Sequence, residues 1–232
     1  DGAIHLQIDA TALRYQHFTG ARAKAELLFQ GNEVQLKQMQ LTQDDGSLTL
    51  NGTFRRQPGG GGYPLSFRSH IEQVDVHNLF AAFNDFGQEA ITSKNLKGKL
   101  TADVEMSGRL TDKARMVKNS MKGTVDFSLK GGQLIDFEPM RKVQEVLKNR
   151  DFSEIRFAEL KNRMDLDTST FTIHRMEIQS TAFSLFVEGT YDLRTGPDLS
   201  RLGLVSNLKK DRHAGGMPGG KGNNGKAGLS LR

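Results

Sequence analysis

The feature that most constrains this chain is a repeat written in alternating residues. Met164, Leu166, Phe171, Ile173, Met176, Ile178, Leu185, Val187 and Tyr191 match Leu27, Phe29, Val34, Leu36, Met39, Leu41, Leu48, Leu50 and Phe54 at a constant offset of 137. Gly189 and Gly52 keep the same offset, so the two copies align without a gap across three segments. Period-two alternation is the mark of a half-buried β-strand, and an ungapped match over three of them points to a duplicated unit. Within each copy two polar residues, Lys37-Gln38 or His174-Arg175, shift the apolar phase from one parity to the other. A one-residue shift of this kind predicts a β-bulge in the middle strand.

A repeat in 232 residues favours one elongated body of similar units over two separate folds. Hydrophobic residues make up only 36% and glycine 25 positions, which suits sheets that are apolar on one face. Cysteine is absent, so disulfides and thiolate metal sites are excluded. No apolar run reaches the roughly 20 residues of a membrane-spanning helix. Asp1 is not a natural start, and an upstream targeting segment is expected. The formal charge of +5 is local: Lys209, Lys210, Arg212, Lys221, Lys226 and Arg232 face only Asp211 in residues 208–232, leaving 26 basic and 26 acidic residues upstream. The neutral body argues against a nucleic-acid partner, because it lacks a cationic excess to follow phosphates.

Taken in order, Ile4, Leu6 and Ile8 alternate with His5, Gln7 and Asp9, and Ala23, Ala25, Leu27 and Phe29 alternate with Arg22, Lys24 and Glu26. Turns at Gly31-Asn32 and Asp44-Asp45-Gly46 then predict an antiparallel meander through Val34–Leu41 and Leu48–Phe54. Four glycines, Gly59 to Gly62, form a loop before a strand through Leu65, Phe67 and Ile71. Asp75 is placed to cap a short helix whose Val76, Leu79, Phe80 and Phe83 form one apolar stripe. Strands follow at Leu96–Met106 and Met121–Gly131, related at an offset of 25 through Leu100/Val125, Ala102/Phe127 and Val104/Leu129. Asp136, Glu138 and Pro139 open a second predicted helix with Met140, Val143 and Leu147 on one face. After the second copy of the repeat and a last long strand, Leu199–Val205, residues 209–228 read as a Gly- and Lys-rich flexible loop and 229–232 as a short terminal strand. The basic loop is either a solvated linker or a patch for an anionic membrane surface, where each Lys or Arg contributes about 1 kcal/mol.

Little in the sequence is arranged for chemistry. His5, His17, His70, His77, His174 and His213 include no helical pair spaced beside a carboxylate as a metal site requires. Asp165 and Asp167 share a strand face and are expected to be solvated. Gly215, Gly220 and Lys221 mimic a phosphate-binding loop, but Gly222 stands where Ser or Thr must hold magnesium. No catalytic residue, metal or cofactor is expected, and the chain is not expected to be an enzyme.

The remaining feature is the long one-sided apolar surface, either the inside of a β-sandwich or a groove for an apolar ligand. A groove has a strong rationale, since an acyl chain in water loses about 0.8 kcal/mol for every CH₂ it had buried. From Leu96 onward come, in order, Leu-Lys-Gly-Lys-Leu at 96, Met-Lys-Gly-Thr-Val-Asp-Phe at 121, Gly-Gly-Gln-Leu-Ile-Asp-Phe-Glu-Pro-Met at 131, Met-Glu-Ile-Gln-Ser-Thr-Ala at 176 and Val-Glu-Gly-Thr-Tyr-Asp-Leu at 187. In their order and spacing these phrases resemble the C-terminal region of the AsmA family of bacterial envelope proteins. The resemblance implies an inner-membrane anchor N-terminal to this region, a periplasmic β-groove, and a role in moving phospholipid or supporting outer-membrane assembly.

The expected fold is mainly β: an elongated, curved antiparallel sheet forming an apolar groove, with one or two amphipathic helices packed against it. Val34, Leu36, Leu48, Leu50, Val125, Phe127, Leu129, Phe171, Ile173, Leu185 and Val187 are the expected lipid-binding residues. The expected function is a non-enzymatic, periplasmic lipid-binding or lipid-transport module whose partners are phospholipid or another envelope lipid. The alternative is a scaffold for outer-membrane protein assembly, engaging partners through sheet edges or the apolar face.

Overall fold

The computed structural model describes residues 2–15, 18–20, 22–43, 45–56, 62–87, 91–111, 117, 119–136, 153–179, 184–192, 196–205 and 228–230. Its strands are β1 (Ala3–Ala10), β2 (Leu13–Tyr15), β3 (Phe18–Gly20), β4 (Arg22–Gln30), β5 (Glu33–Gln43), β6 (Gly46–Arg55), β7 (Tyr63–Asp75), β8 (Leu96–Leu110), β9 (Met121–Ile135), β10 (Glu154–Thr168), β11 (Thr170–Gln179), β12 (Ser184–Asp192), β13 (Gly196–Val205) and β14 (Gly228–Ser230). Twelve of them form one curved, open antiparallel sheet in the order β1-β4-β5-β6-β7-β8-β9-β10-β11-β12-β13-β14, and β2 and β3 form a separate ribbon. The sandwich alternative therefore gives way to a single sheet. The predicted helix around Met140 and the Gly- and Lys-rich stretch before Gly228 lie outside the described residues.

The bulges decide which side chains share a face. Register shifts between Leu36 and Met39 in β5 and between Ile173 and Met176 in β11 fall on the two polar pairs that break the alternation. Without them a strand would turn its second half outward; with them, Val34, Leu36, Met39 and Leu41 all stay opposite Phe54, Gly52, Leu50 and Leu48. A similar shift between Ile71 and Val74 in β7 passes through Gln73, which sits at φ +51°. Near the opposite end of β9, Gly131 at φ +57° marks where β9 and β10 change parity together, so that Leu134, Ile155 and Phe157 join Leu129 and Leu160 in one cluster.

The duplication extends further in the register than in the residues. Leu27↔Leu36, Phe29↔Val34, Leu36↔Gly52, Met39↔Leu50 and Leu41↔Leu48 recur 137 positions later as Met164↔Ile173, Leu166↔Phe171, Ile173↔Gly189, Met176↔Val187 and Ile178↔Leu185. On the outer side of β4, β1 pairs as β9 pairs with β10: Leu6↔Leu27 answers Val125↔Met164, and Ile4↔Phe29 answers Gly123↔Leu166. Four consecutive strands, β1-β4-β5-β6, are thus equivalent to β9-β10-β11-β12.

Helix α1 (Val76–Ala82) forms where predicted, with the Asp75 carboxylate accepting a hydrogen bond from Asn78 N at 3.0 Å. It buries Val76, Leu79 and Ala82, each in a different cluster. Val76 meets Leu96, Leu129 and Ile155; Leu79 meets Ile71 and Ala102; Ala82 meets Ala23 and Leu41. Phe83 corrects the predicted stripe: the helix ends at Ala82, and Phe83, as its C-cap, is 48% exposed. A methyl-sized residue, Ala82, packs on the sheet in its place.

At the β10–β11 turn Thr168 adopts φ +68°, whereas the equivalent residue of the first copy is Gly31, at φ +54°. A β-branched residue in the left-handed region is strained by about 1–2 kcal/mol, partly offset by the entropy that glycine adds to the unfolded chain. Thr168→Gly should therefore stabilise the fold by roughly 0.5–1 kcal/mol, read as a higher urea midpoint; a lower midpoint contradicts the strain.

Candidate apolar binding face

All eleven expected lipid-binding positions fall on one side of the register. Val34 stands opposite Phe29 and Phe54, Leu36 opposite Leu27 and Gly52, Leu48 opposite Leu41 and Ile71, and Leu50 opposite Met39 and Ser69. Val125, Phe127 and Leu129 face Val104, Ala102 and Leu100 on β8, and Met164, Asn162 and Leu160 on β10. Phe171 and Ile173 face Leu166 and Met164, while positions 185 and 187 of β12 pair with 178 and 176 of β11. Because cross-strand partners lie on the same side of a sheet, these residues form continuous apolar rows from β1 to β11.

The rows are covered unevenly. Leu129 is 2% exposed and belongs to the core beneath α1, which makes it a packing residue rather than part of an open surface. Leu48 and Phe127 also pack against residues of the helix-covered clusters. Towards the other end of the strands Val34, Leu36, Leu50, Val125 and Phe171 remain only half-buried. Sequence reasoning left out of the candidate set Leu27, Phe29, Phe54, Leu65, Phe67, Val104 and Met164, which share the face and are also half-buried. Placing the bulges first and following parity from them would have found these residues.

Glycine shapes this surface at two close approaches. A Cβ on Gly52 would stand 2.5 Å from Ser66 O and 2.9 Å from Phe67 Cβ, far inside the roughly 4.5–5.5 Å of an ordinary cross-strand pair. A Cβ on Gly123 would overlap the Glu105 carbonyl and lie 2.8 Å from Met106 Cα. These glycines flank Phe67↔Met106 in one cross-strand row, so β6–β7 and β8–β9 close on one another on the apolar side.

The opposite face is a lattice of ion pairs. Arg55 reaches Glu33 at 2.6 Å, Arg68 reaches Glu105 at 2.8 Å, and Lys122 reaches Asp167 at 3.1 Å. His5, His70 and His174 lie 2.8, 2.7 and 2.7 Å from Glu26, Asp103 and Asp165. Asp165 and Asp167, expected to be merely solvated, are thus both paired. A shallow hollow of about 700 Å³ is lined in part by Lys37, Arg68, Glu105, Lys122 and Arg163, of which Arg68 and Glu105 answer one another, Lys122 answers Asp167 and Arg163 answers Asp126. Among the described residues no cluster of His, Cys, Asp or Glu could hold a metal ion, and no helix is long and apolar enough to cross a membrane. No protein-family model, curated protein or solved structure matches the chain.

Hydrogen bonds from Arg55, Lys161, His174 and Lys122 hold Glu33, Glu159, Asp165 and Asp167, respectively, below the ordinary carboxylate range. Their stabilisation is present above the pH at which unfolded carboxylates titrate, about 4, and is lost as pH falls through the lowered folded values. Urea midpoints should therefore fall from pH 7 to pH 3, and fall less in Asp165→Asn; identical falls in both proteins contradict a contribution from the Asp165 pair.

Proposed function

We propose that this chain is a non-enzymatic lipid-handling module of the bacterial envelope, of the kind its resemblance to the AsmA family implies. Its partner is phospholipid or another envelope lipid, and its setting is the periplasmic face of the inner membrane, with the anchor upstream. The observation that carries this reading is the single apolar face, continuous over strand after strand and backed by a wholly different, ion-paired face. The nine sheet strands from β1 to β11, spaced roughly 4.8 Å apart, carry these rows over about 40 Å, a track long enough for acyl chains lying across the strands. Each CH₂ kept from water there contributes about 0.8 kcal/mol, without any directional group to fix one lipid species.

α1 supports the reading by covering one end of the rows and leaving Val34, Leu36, Leu50 and Phe171 half-buried at the other. The ion pairs of the polar face are exposed and individually worth about 0–1 kcal/mol, so they give solubility rather than binding energy. The assembly-scaffold reading draws on a different observation, the exposed apolar residues of β1, Ile4 at 68%, Leu6 at 43% and Ile8 at 45%.

The test is native mass spectrometry of gently purified protein, followed by lipid extraction. The lipid reading expects bound phospholipid, sharply reduced in a folded Val125→Asp variant and retained in Thr124→Asp, one residue away on the polar face. Protein free of lipid that binds an unfolded barrel protein saturably contradicts the lipid reading and favours the scaffold.

A further inference from the structure

We infer that the hollow on the polar face is a binding site for an extended acidic oligosaccharide. The inference does not depend on lipid occupying the apolar face, since the hollow opens on the other side of the sheet. Its lining comes from β5, β6, β7, β8, β9 and β10, six neighbours in the sheet, so it is a trough crossing the strands for roughly 24 Å. Its volume, about 700 Å³, lies within the range of ligand sites.

Register gives the trough two walls of different chemistry. One is the cross-strand row Gln35↔Thr53↔Ser66↔Ser107, an amide followed by three hydroxyls and closed by Lys122. The other is the row Asn51↔Arg68↔Glu105↔Thr124, extended by Lys37 of the β5 bulge at one end and Arg163 of β10 at the other. Between the walls run Leu36, Gly52, Phe67, Met106 and Gly123. Their side chains belong to the apolar face or, at the glycines, do not exist, so the floor is main chain.

The charges of the lining are unequal. Lys37, Arg68, Lys122 and Arg163 face Glu105 alone, while Asp167 and Asp126, which answer Lys122 and Arg163, stand outside the lining. The adjoining hollow has the opposite balance, with Asp103 and Asp126 against Lys161. Exposed Lys37 makes no ion pair or hydrogen bond among the described residues and acts on Glu33 only at longer range. The other three cations sit in pairs whose members are all more than half exposed, and pairs of that kind are weak enough to be shared with a ligand carboxylate. On the first wall Thr53 and Ser66 share one hydrogen bond of 2.9 Å, which leaves a hydroxyl proton and several lone pairs over. Sugar hydroxyls, which both donate and accept, match that wall, and carboxylates on the same chain match the cationic one. A nucleic acid or polyphosphate needs cations along both walls, and the first has only Lys122.

The probe is hexagalacturonate, a lipid-free acidic oligosaccharide, titrated calorimetrically into the whole chain at about 0.15 M salt, where charges more than about 8 Å apart are largely screened. Saturable binding is expected, about fivefold weaker for the methyl-esterified hexamer, which keeps the sugar backbone and loses the charge. Lys37→Glu should weaken binding about tenfold and Thr53→Val about threefold. Lys130→Glu, about 20 Å along β9 from Thr124, and Val125→Asp on the apolar face should leave it unchanged. Because Val125→Asp also removes lipid in the preceding test, the two readings fail separately. Absence of saturable binding, or equal binding of the ester, overturns the inference. So does a polyphosphate of equal charge that binds as tightly, or an undiminished affinity in Lys37→Glu, which places the ligand on the basic residues after Leu208.

Discussion

Everything in this fold depends on antiparallel register being corrected wherever alternation fails. A strand has a side-chain period of two, so one extra residue turns all that follow to the other face. In β5 and β11 the correction is a bulge at Lys37-Gln38 and His174-Arg175, and in β7 it passes through Gln73. Without these shifts Met39 and Leu41 would stand among the salt bridges, away from Ala25 and Ala23 of β4, with which they pair. The bulges are therefore part of what makes the sheet two-faced.

A one-faced sheet has no second layer to complete its core, and α1 supplies part of one. Seven residues long, it is too short to be stable alone; its place comes from the Asp75 cap and from Val76, Leu79 and Ala82, each nearly or fully buried in its own cluster. Most of the rest of the apolar face is half-buried, with Met106 and Leu166 buried within it, and an apolar surface of that kind is the usual mark of a binding site. The polar face contributes differently. Its exposed pairs, such as Arg68–Glu105 and His174–Asp165, are worth little singly but are numerous enough to make the outside of the sheet unambiguous.

Much of this architecture was legible in the residues. The duplication, the bulges and the Asp75 helix all follow from local patterns, because strand period, bulge phase and helix capping are set by neighbours in sequence. What was not legible depends on contacts distant in the chain. Leu129 has the same alternation as Val125, and only the seating of α1 makes it core. The equivalence of β1 with β9 leaves almost no residue identity, since Ile4 answers Gly123 and Ile8 answers Phe127, and it emerges only from the pairing. The β2–β3 ribbon at Leu13–Tyr15 and Phe18–Gly20 was missed because three-residue strands are too short to show a period.

On the proposed reading one face of the sheet meets acyl chains and the other meets water. Placing a photoreactive diazirine amino acid at position 125, and separately at position 124, tests it with neighbouring residues of opposite parity. With the protein in phospholipid-containing membranes or extracts, the account predicts lipid adducts from position 125 and none above background from position 124. Equal labelling at the two positions, or none at 125 in a folded protein, contradicts it.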